Sequence, residues 1–191
     1  MNIKDIVKLC GKLLCCGFDE QIFEGSATDD EVRDALSSDK KLSLLTECVS
    51  LVETELACDY IPLKAQQCFD SGDAAYSEFE HTPHEIIRVV DQNGADADFK
   101  SLPDGVKAEV GGGKMTVFYN YRPAKKGWDD ELERGNCKAD ERLFAYGAIA
   151  EYMLLSGMYD EAAVWDKRYK DLAEVVLSTN KSLKIKERRW L

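Results

Sequence analysis

The sequence predicts an α+β protein: a helical core, antiparallel β-hairpins inserted in the middle, and an extended C-terminal arm. Three observations carry that prediction. Residues 143–155 hold a single charged side chain, Glu151, and place apolar groups on every side of a helical wheel, the pattern of a helix in the middle of a protein. Residues 3–14 and 42–56 repeat apolar side chains every three or four positions, which is the helical period. Between Pro62 and Pro123 the period falls to two, with Asn93-Gly94 separating alternating stretches. That dipeptide is the strongest short hairpin signal.

Taken in order, Ile3, Ile6, Val7, Cys10, Leu13 and Leu14 form one face of a short helix ending near Gly17, with Lys4, Lys8 and Lys12 opposite. Residues 19–39 carry eight acidic side chains and one basic, Arg33. Thr28 caps a helix whose first turn holds Asp29, Asp30 and Glu31, where the helix dipole favours negative charge. A long helix follows over about 40–59, burying Leu42, Leu45, Val49, Val52 and Leu56, until Pro62 ends it. Helices thus fill about 2–60.

The hairpins fill about 61–122. Residues 86–90 and 97–102 flank Asn93-Gly94 as the first hairpin. Residues 106–110 and 115–121 alternate across Gly111-Gly112-Gly113 as the second. One or two further strands fall between Leu63 and Glu80, interrupted at Ser71-Gly72-Asp73. A polar connection over 123–135 leads to a helix pair over about 136–178. Its first helix, about 13 residues of apolar sequence, is too short for the roughly 20 that span a bilayer, so no membrane is expected. Ser156-Gly157 stops it and Asp160 caps the next. That second helix buries Ala162, Trp165, Tyr169, Leu172 and Val176 and shows Glu161, Asp166, Lys167, Lys170, Asp171 and Glu174 to solvent. Residues 1–180 read as one domain and 181–191 as a basic arm.

A chain of 191 residues is long enough for a hydrophobic core without disulfides. Its net charge of −11, from 25 basic and 36 acidic residues, disfavours gripping nucleic acid with the whole surface. Letting DNA pass remains compatible with that sign. The start, MNIKDIVKLCGKLL, interleaves charges with apolar residues and is unlike a signal peptide. Seven cysteines without a CxxC pair read as reduced, mostly buried thiols in a cytoplasmically folded protein, and the ligand spacing of a zinc site is missing.

Motifs with a chemical reading lose to plainer ones. Gly111-Gly112-Gly113-Lys114 lacks the earlier glycine and the following Ser or Thr of a phosphate loop, Ala108 and Met115 standing there; it is a turn. His81 and His84, with Glu78 and Glu80 nearby, are the groups a metal hydrolase would use, but Pro83 keeps a regular helix from presenting both rings on one face. They read as a loop before a strand. The carboxylates of Asp129, Asp130 and Glu131 read as a solvated helix start rather than an acid–base pair. Gly157, Met158, Tyr159, Asp160, Glu161 and Ala162, then Tyr169, look like half of a tetratricopeptide repeat. Such repeats recur every 34 residues, and no second copy is present. No catalytic residue, cofactor or metal is expected.

The arm is the feature that a plain globular domain does not need. Leu183 and Ile185 alternate with Lys184 and Lys186, and the chain continues to Arg188, Arg189, Trp190 and Leu191. With Lys181, and against Glu187 alone, residues 181–191 carry +4. Arginine and tryptophan are enriched at binding hot spots, and an extended segment can add to a partner's sheet or groove. The plainer reading is a tail folded back on its own subunit or frayed.

The order of parts resembles the head–tail adaptor (connector) proteins of tailed bacteriophages. In wording the resemblance is closest in Arg142-Leu143-Phe144-Ala145-Tyr146-Gly147-Ala148-Ile149-Ala150-Glu151-Tyr152 and on through Asp160-Glu161-Ala162 to Arg168-Tyr169. The resemblance implies a ring of about twelve copies held by head-to-tail contacts, located in the virion neck and made in the host cytoplasm. It further implies portal docking through Lys181, Leu183, Lys184, Ile185, Lys186, Arg188, Arg189, Trp190 and Leu191, with tail or stopper proteins on the other side. Double-stranded DNA would pass without specific binding, the acidic surface keeping a lumen of like sign. The rivals are a cytoplasmic binding module built on the helix pair and a small hydrolase at His81 and His84.

Overall fold

The computed structural model describes residues 1–24, 27–111, 113–133 and 139–180. It is an α+β fold with two adjoining cores, one helical and one of β-strands.

The helical core is built from four of the five α-helices, and the remaining one packs beside it and adds little to its interior. Asn2 opens α1 (Ile3–Leu13) by accepting from the Asp5 amide, and Ile3, Ile6, Val7 and Cys10 are buried. Thr28 and Glu31 form a reciprocal capping box at the start of α2 (Asp29–Ser38), which buries only Val32. Asp39 takes the amides of Lys41 and Leu42 to begin α3 (Lys40–Glu55). The expected apolar stripe on α3 is buried, and Cys48 and Glu53 are buried with it. Asp140 caps α4 (Glu141–Leu155), whose residues 143–145, 147–150 and 152 are buried. Gly157, at φ +77°, turns the chain into α5 (Tyr159–Asn180). On α5, Ala162, Tyr169 and Ala173 are buried and Trp165, Leu172 and Val176 pack partly covered against the core.

Gly147 lets three of these helices meet. A Cβ there would lie 2.9 Å from a Val52 methyl and 3.1 Å from the Tyr169 ring. Cys48 faces Glu151 and Val52 faces Gly147, so α3 and α4 run antiparallel, as do α4 and α5 through their short turn. On the far side of α4, the Cys10 thiol reaches the Ala145 carbonyl.

After α3 the chain widens into a π-helical turn, Leu56–Tyr60, closed by the Ile61 amide on the Leu56 carbonyl. It then enters β1 (Leu63–Phe69) and β2 (Asp73–Ala75), followed by β3 (Pro83–Asp91), β4 (Phe99–Ser101), β5 (Gly105–Ala108) and β6 (Met115–Tyr121). Two antiparallel three-stranded sheets result, in the orders β1-β6-β3 and β2-β5-β4. Between them Val89, Val106, Met115, Val117 and Tyr119 are buried with Ala74 and Phe79.

The strands lie where the alternation places them, but two pairings differ from expectation. Gly94 does turn at φ +80°; the chain returns along β3 briefly, through Ala95, Asp96 and Ala97, before β4 joins β5 in the other sheet. Likewise β5 and β6, expected to pair across the glycine run, lie in different sheets. Alternation marks a half-buried strand without naming its partner. Here β6 is buried at Met115, Val117, Tyr119 and Asn120, and it takes the centre of one sheet with β1 and β3 on its flanks.

Residues 123–133 stitch the two cores together. Trp128 packs on Phe23 at 5.6 Å, and its indole nitrogen donates to the Ile22 carbonyl. The expected helix start at Asp129, Asp130 and Glu131 is absent. Asp129 instead pairs with Lys4, Asp130 accepts from the Gly127 amide, and Glu131 bridges to Asn2. These partners on α1 and in the loop offset the cost of leaving the segment irregular.

Candidate protein-binding surfaces

All nine residues expected to dock a partner, from Lys181 to Leu191, lie outside the described residues. What the structure gives is the direction from which they depart. Tyr169 lies level with Gly147 and Val52, and α5 continues eleven residues past Tyr169 to Asn180. At 1.5 Å per residue that places Asn180 roughly 16 Å beyond the middle of the bundle, away from the α4–α5 turn.

The turn end presents an exposed apolar group. Leu154 is 48% and Leu155 57% exposed, and Met158, Tyr159 and Val164 are open too. This corrects the expectation that 143–155 is interior throughout. An all-round apolar pattern marks a helix with neighbours on most sides but does not say where along its length they stop. Asp160 is also not the cap: the helix starts one residue earlier, with the Ala162 amide on the Met158 carbonyl. Its carboxylate sits in the first turn, where the dipole still favours it.

A second feature lies beside α2. A groove of about 720 Å³ runs between the 3-10 turn Glu20–Phe23, α2 and the first turn of α3. Its floor is apolar, with Phe18, Ile22 and Leu42. Five carboxylates line it: Asp19, Glu24, Glu31, Asp34 and Asp39. Three of these also hold backbone amides, Asp19 that of Gln21, Glu31 that of Thr28 and Asp39 those of Lys41 and Leu42. The bond from the Thr28 amide holds Glu31 below the usual carboxylate range. None of the lining residues is basic; Lys40 and Lys41 line an adjoining hollow beyond Asp39. The sequence does carry a signal for this groove in the acid excess of 19–39, but its apolar floor is assembled from three separate segments.

The chemistry-bearing residues weighed from the sequence have other engagements. His81 stacks on Tyr121 at 4.2 Å, and the His84 Nδ1 accepts from the Arg122 guanidinium. His84 lies within β3 rather than in the loop before it. Among the described residues no group of three His, Cys, Asp or Glu side chains is placed to hold a metal. Cys10 and Cys48 are buried, whereas Cys15 and Cys68 are exposed and Cys16 and Cys58 half-buried, so fewer thiols are interior than expected. Burial pushes both interior thiols up to about 12, which removes thiolate character at neutral pH.

Sequence reasoning missed one ionisable cluster, at the join of the two cores. Glu53 Oε1 accepts from the Glu133 amide at 2.7 Å, and the Glu133 carboxylate pairs with Lys126 at 2.8 Å. Burial pushes Glu53 up to about 7 against that hydrogen bond and the charge of Lys126. Burial also opposes ionisation of Glu133, but hydrogen bonds from Lys126 and Tyr121 outweigh it and hold the carboxyl low. Glu53 occupies a position on the buried stripe of α3, and its acidity gave no hint of that. Each of these groups has a partner within the fold, and the cluster reads as a structural tie.

No protein-family model matches the chain, and no curated protein matches it. No helix among the described residues is long and apolar enough to cross a membrane.

Proposed function

We propose that this chain is a structural head–tail adaptor of a tailed bacteriophage and not an enzyme. About twelve copies would form a ring by head-to-tail contacts. Residues 181–191 would dock each copy on the portal, and tail or stopper proteins would bind the opposite side. The observation that carries the reading is the polarity of the molecule. The most basic stretch of the chain begins where α5 stops at Asn180, while exposed leucines and an acidic groove lie toward the other end. A body with two unlike ends suits a repeating head-to-tail contact, and its excess of acidic residues suits a channel through which DNA slides.

The test is co-sedimentation with purified portal rings, comparing the full chain with one ending at Asn180. The full chain is expected to bind the ring in a fixed stoichiometry and the shortened chain to lose that binding, with both melting at the same temperature. Equal binding by both would overturn the docking role.

A second reading, a cytoplasmic helical-hairpin binding module, draws on Leu154, Leu155, Met158 and Tyr159 exposed around the α4–α5 turn. It predicts a monomer at high concentration with no affinity for a portal ring.

A further inference from the structure

We propose that the acidic groove beside α2 is the seat for residues 181–191 of a second copy of this chain. The inference rests on the ring-forming half of the function above and concerns the ring before it meets a portal. A portal would compete with the groove for the same eleven residues.

Complementarity is the first argument. The groove offers an apolar floor of Phe18, Ile22 and Leu42 under five carboxylates. The arm offers Leu183, Ile185, Trp190 and Leu191 interleaved with five cations, for a net +4. An extended segment alternating apolar and basic side chains can place one set on such a floor and the other along its rim. Opposite potentials also steer the encounter and fix its register.

Reach is the second argument, and it selects a second copy over the chain's own groove. Leu42 lies ten residues before Val52 on α3, and Asn180 lies eleven residues after Tyr169 on α5. Val52 and Tyr169 meet at Gly147, and the two segments run in opposite directions from that point. At 1.5 Å per residue the groove and Asn180 are about 30 Å apart along the bundle. Eleven residues fully extended span roughly 36 Å. Reaching its own groove would use up nearly the whole arm and leave about two residues to lie in it. A neighbouring copy carries no such restriction, and a contact between two different patches of one molecule closes into a ring when its rotation allows.

The experiment uses full-length chains in sedimentation velocity and a labelled peptide of residues 181–191 in fluorescence anisotropy. One variant reverses two charges of the arm (Lys184→Glu with Arg188→Glu), taking it from +4 to zero. The other reverses two charges of the groove (Glu24→Lys with Asp34→Lys), taking its lining from −5 to −1 and leaving the capping carboxylates untouched. The peptide is expected to bind the arm-reversed chain saturably. That binding should weaken at least tenfold when the groove is also reversed, or when the peptide itself carries the arm reversal on an unaltered groove. Each variant alone should be monomeric, and an equimolar mixture should form one-to-one dimers, since each supplies what the other lacks. Peptide binding that ignores the groove charges, no saturable binding, or a mixture that stays monomeric would overturn the proposal. If wild type and both variants all form the same rings, the groove assignment falls while the ring reading stands. If the peptide binds the groove and the mixture dimerises but no ring forms with or without portal, the adaptor reading falls and the groove assignment stands.

Discussion

Glu53 is 2% exposed on α3 and faces Lys126, Glu133 and the Glu133 amide. Its carboxyl titrates at about 7 in the folded chain, against roughly 4.3 when unfolded. Between those values the folded state keeps a proton that the unfolded chain has released. The resulting stability is therefore complete below about pH 4.3 and is lost as the pH rises through 7. Urea unfolding from pH 5 to 8 should show a decline on the order of 3 kcal/mol. Glu53→Gln, which keeps an oxygen for the Glu133 amide, should flatten it; an unchanged slope would remove Glu53 as its cause. Gly147 gives a second prediction. Alanine there would gain about 1 kcal/mol in helix propensity, yet its methyl would meet Val52 and Tyr169 at 2.9 to 3.1 Å. Overpacking costs about 1–3 kcal/mol, so Gly147→Ala should lower the melting temperature rather than raise it.

Among the elements, β5 depends on a close approach at its first residue as well as on the buried Val106 and Ala108. A Cβ on Gly105 would stand 2.3 Å from the Ala74 carbonyl oxygen, where β2 and β5 pair Ala75 with Gly105. Gly105→Ala should peel β2 away, seen as lost hydrogen-exchange protection at residues 73–75 while α3 and α4 stay protected. At the start of α2, Thr28→Ala removes half of the capping box and should cost about 1 kcal/mol, read as a lowered urea midpoint. The contrast between these elements explains what could be read in advance. The Thr28 cap, the α3 stripe and the Gly157 turn are local patterns, and each lies where the sequence places it. Strand partnership is not local: β4 and β5 each carry the right alternation, but their neighbours depend on how both sheets fill a shared core. The groove was half legible, through its acids. Its floor required knowing that Phe18, Ile22 and Leu42 meet.

For the whole molecule the net charge of −11 decides one further outcome. A duplex incubated with the purified chain at low salt should migrate unshifted, because the body repels phosphates more strongly than the arm attracts them; a shift removed by salt would contradict a passive channel wall. The joint between the two cores matters at the same scale. The π-helical turn Leu56–Tyr60 carries one residue more than an α-turn would over its hydrogen bond. Its side chains are engaged as well: Leu56 and Ala57 are buried, and Tyr60 meets the Tyr169 ring edge-on at 6.1 Å. Identity therefore constrains that turn as firmly as length does, so descendants of this chain should vary there chiefly at Asp59, its exposed residue.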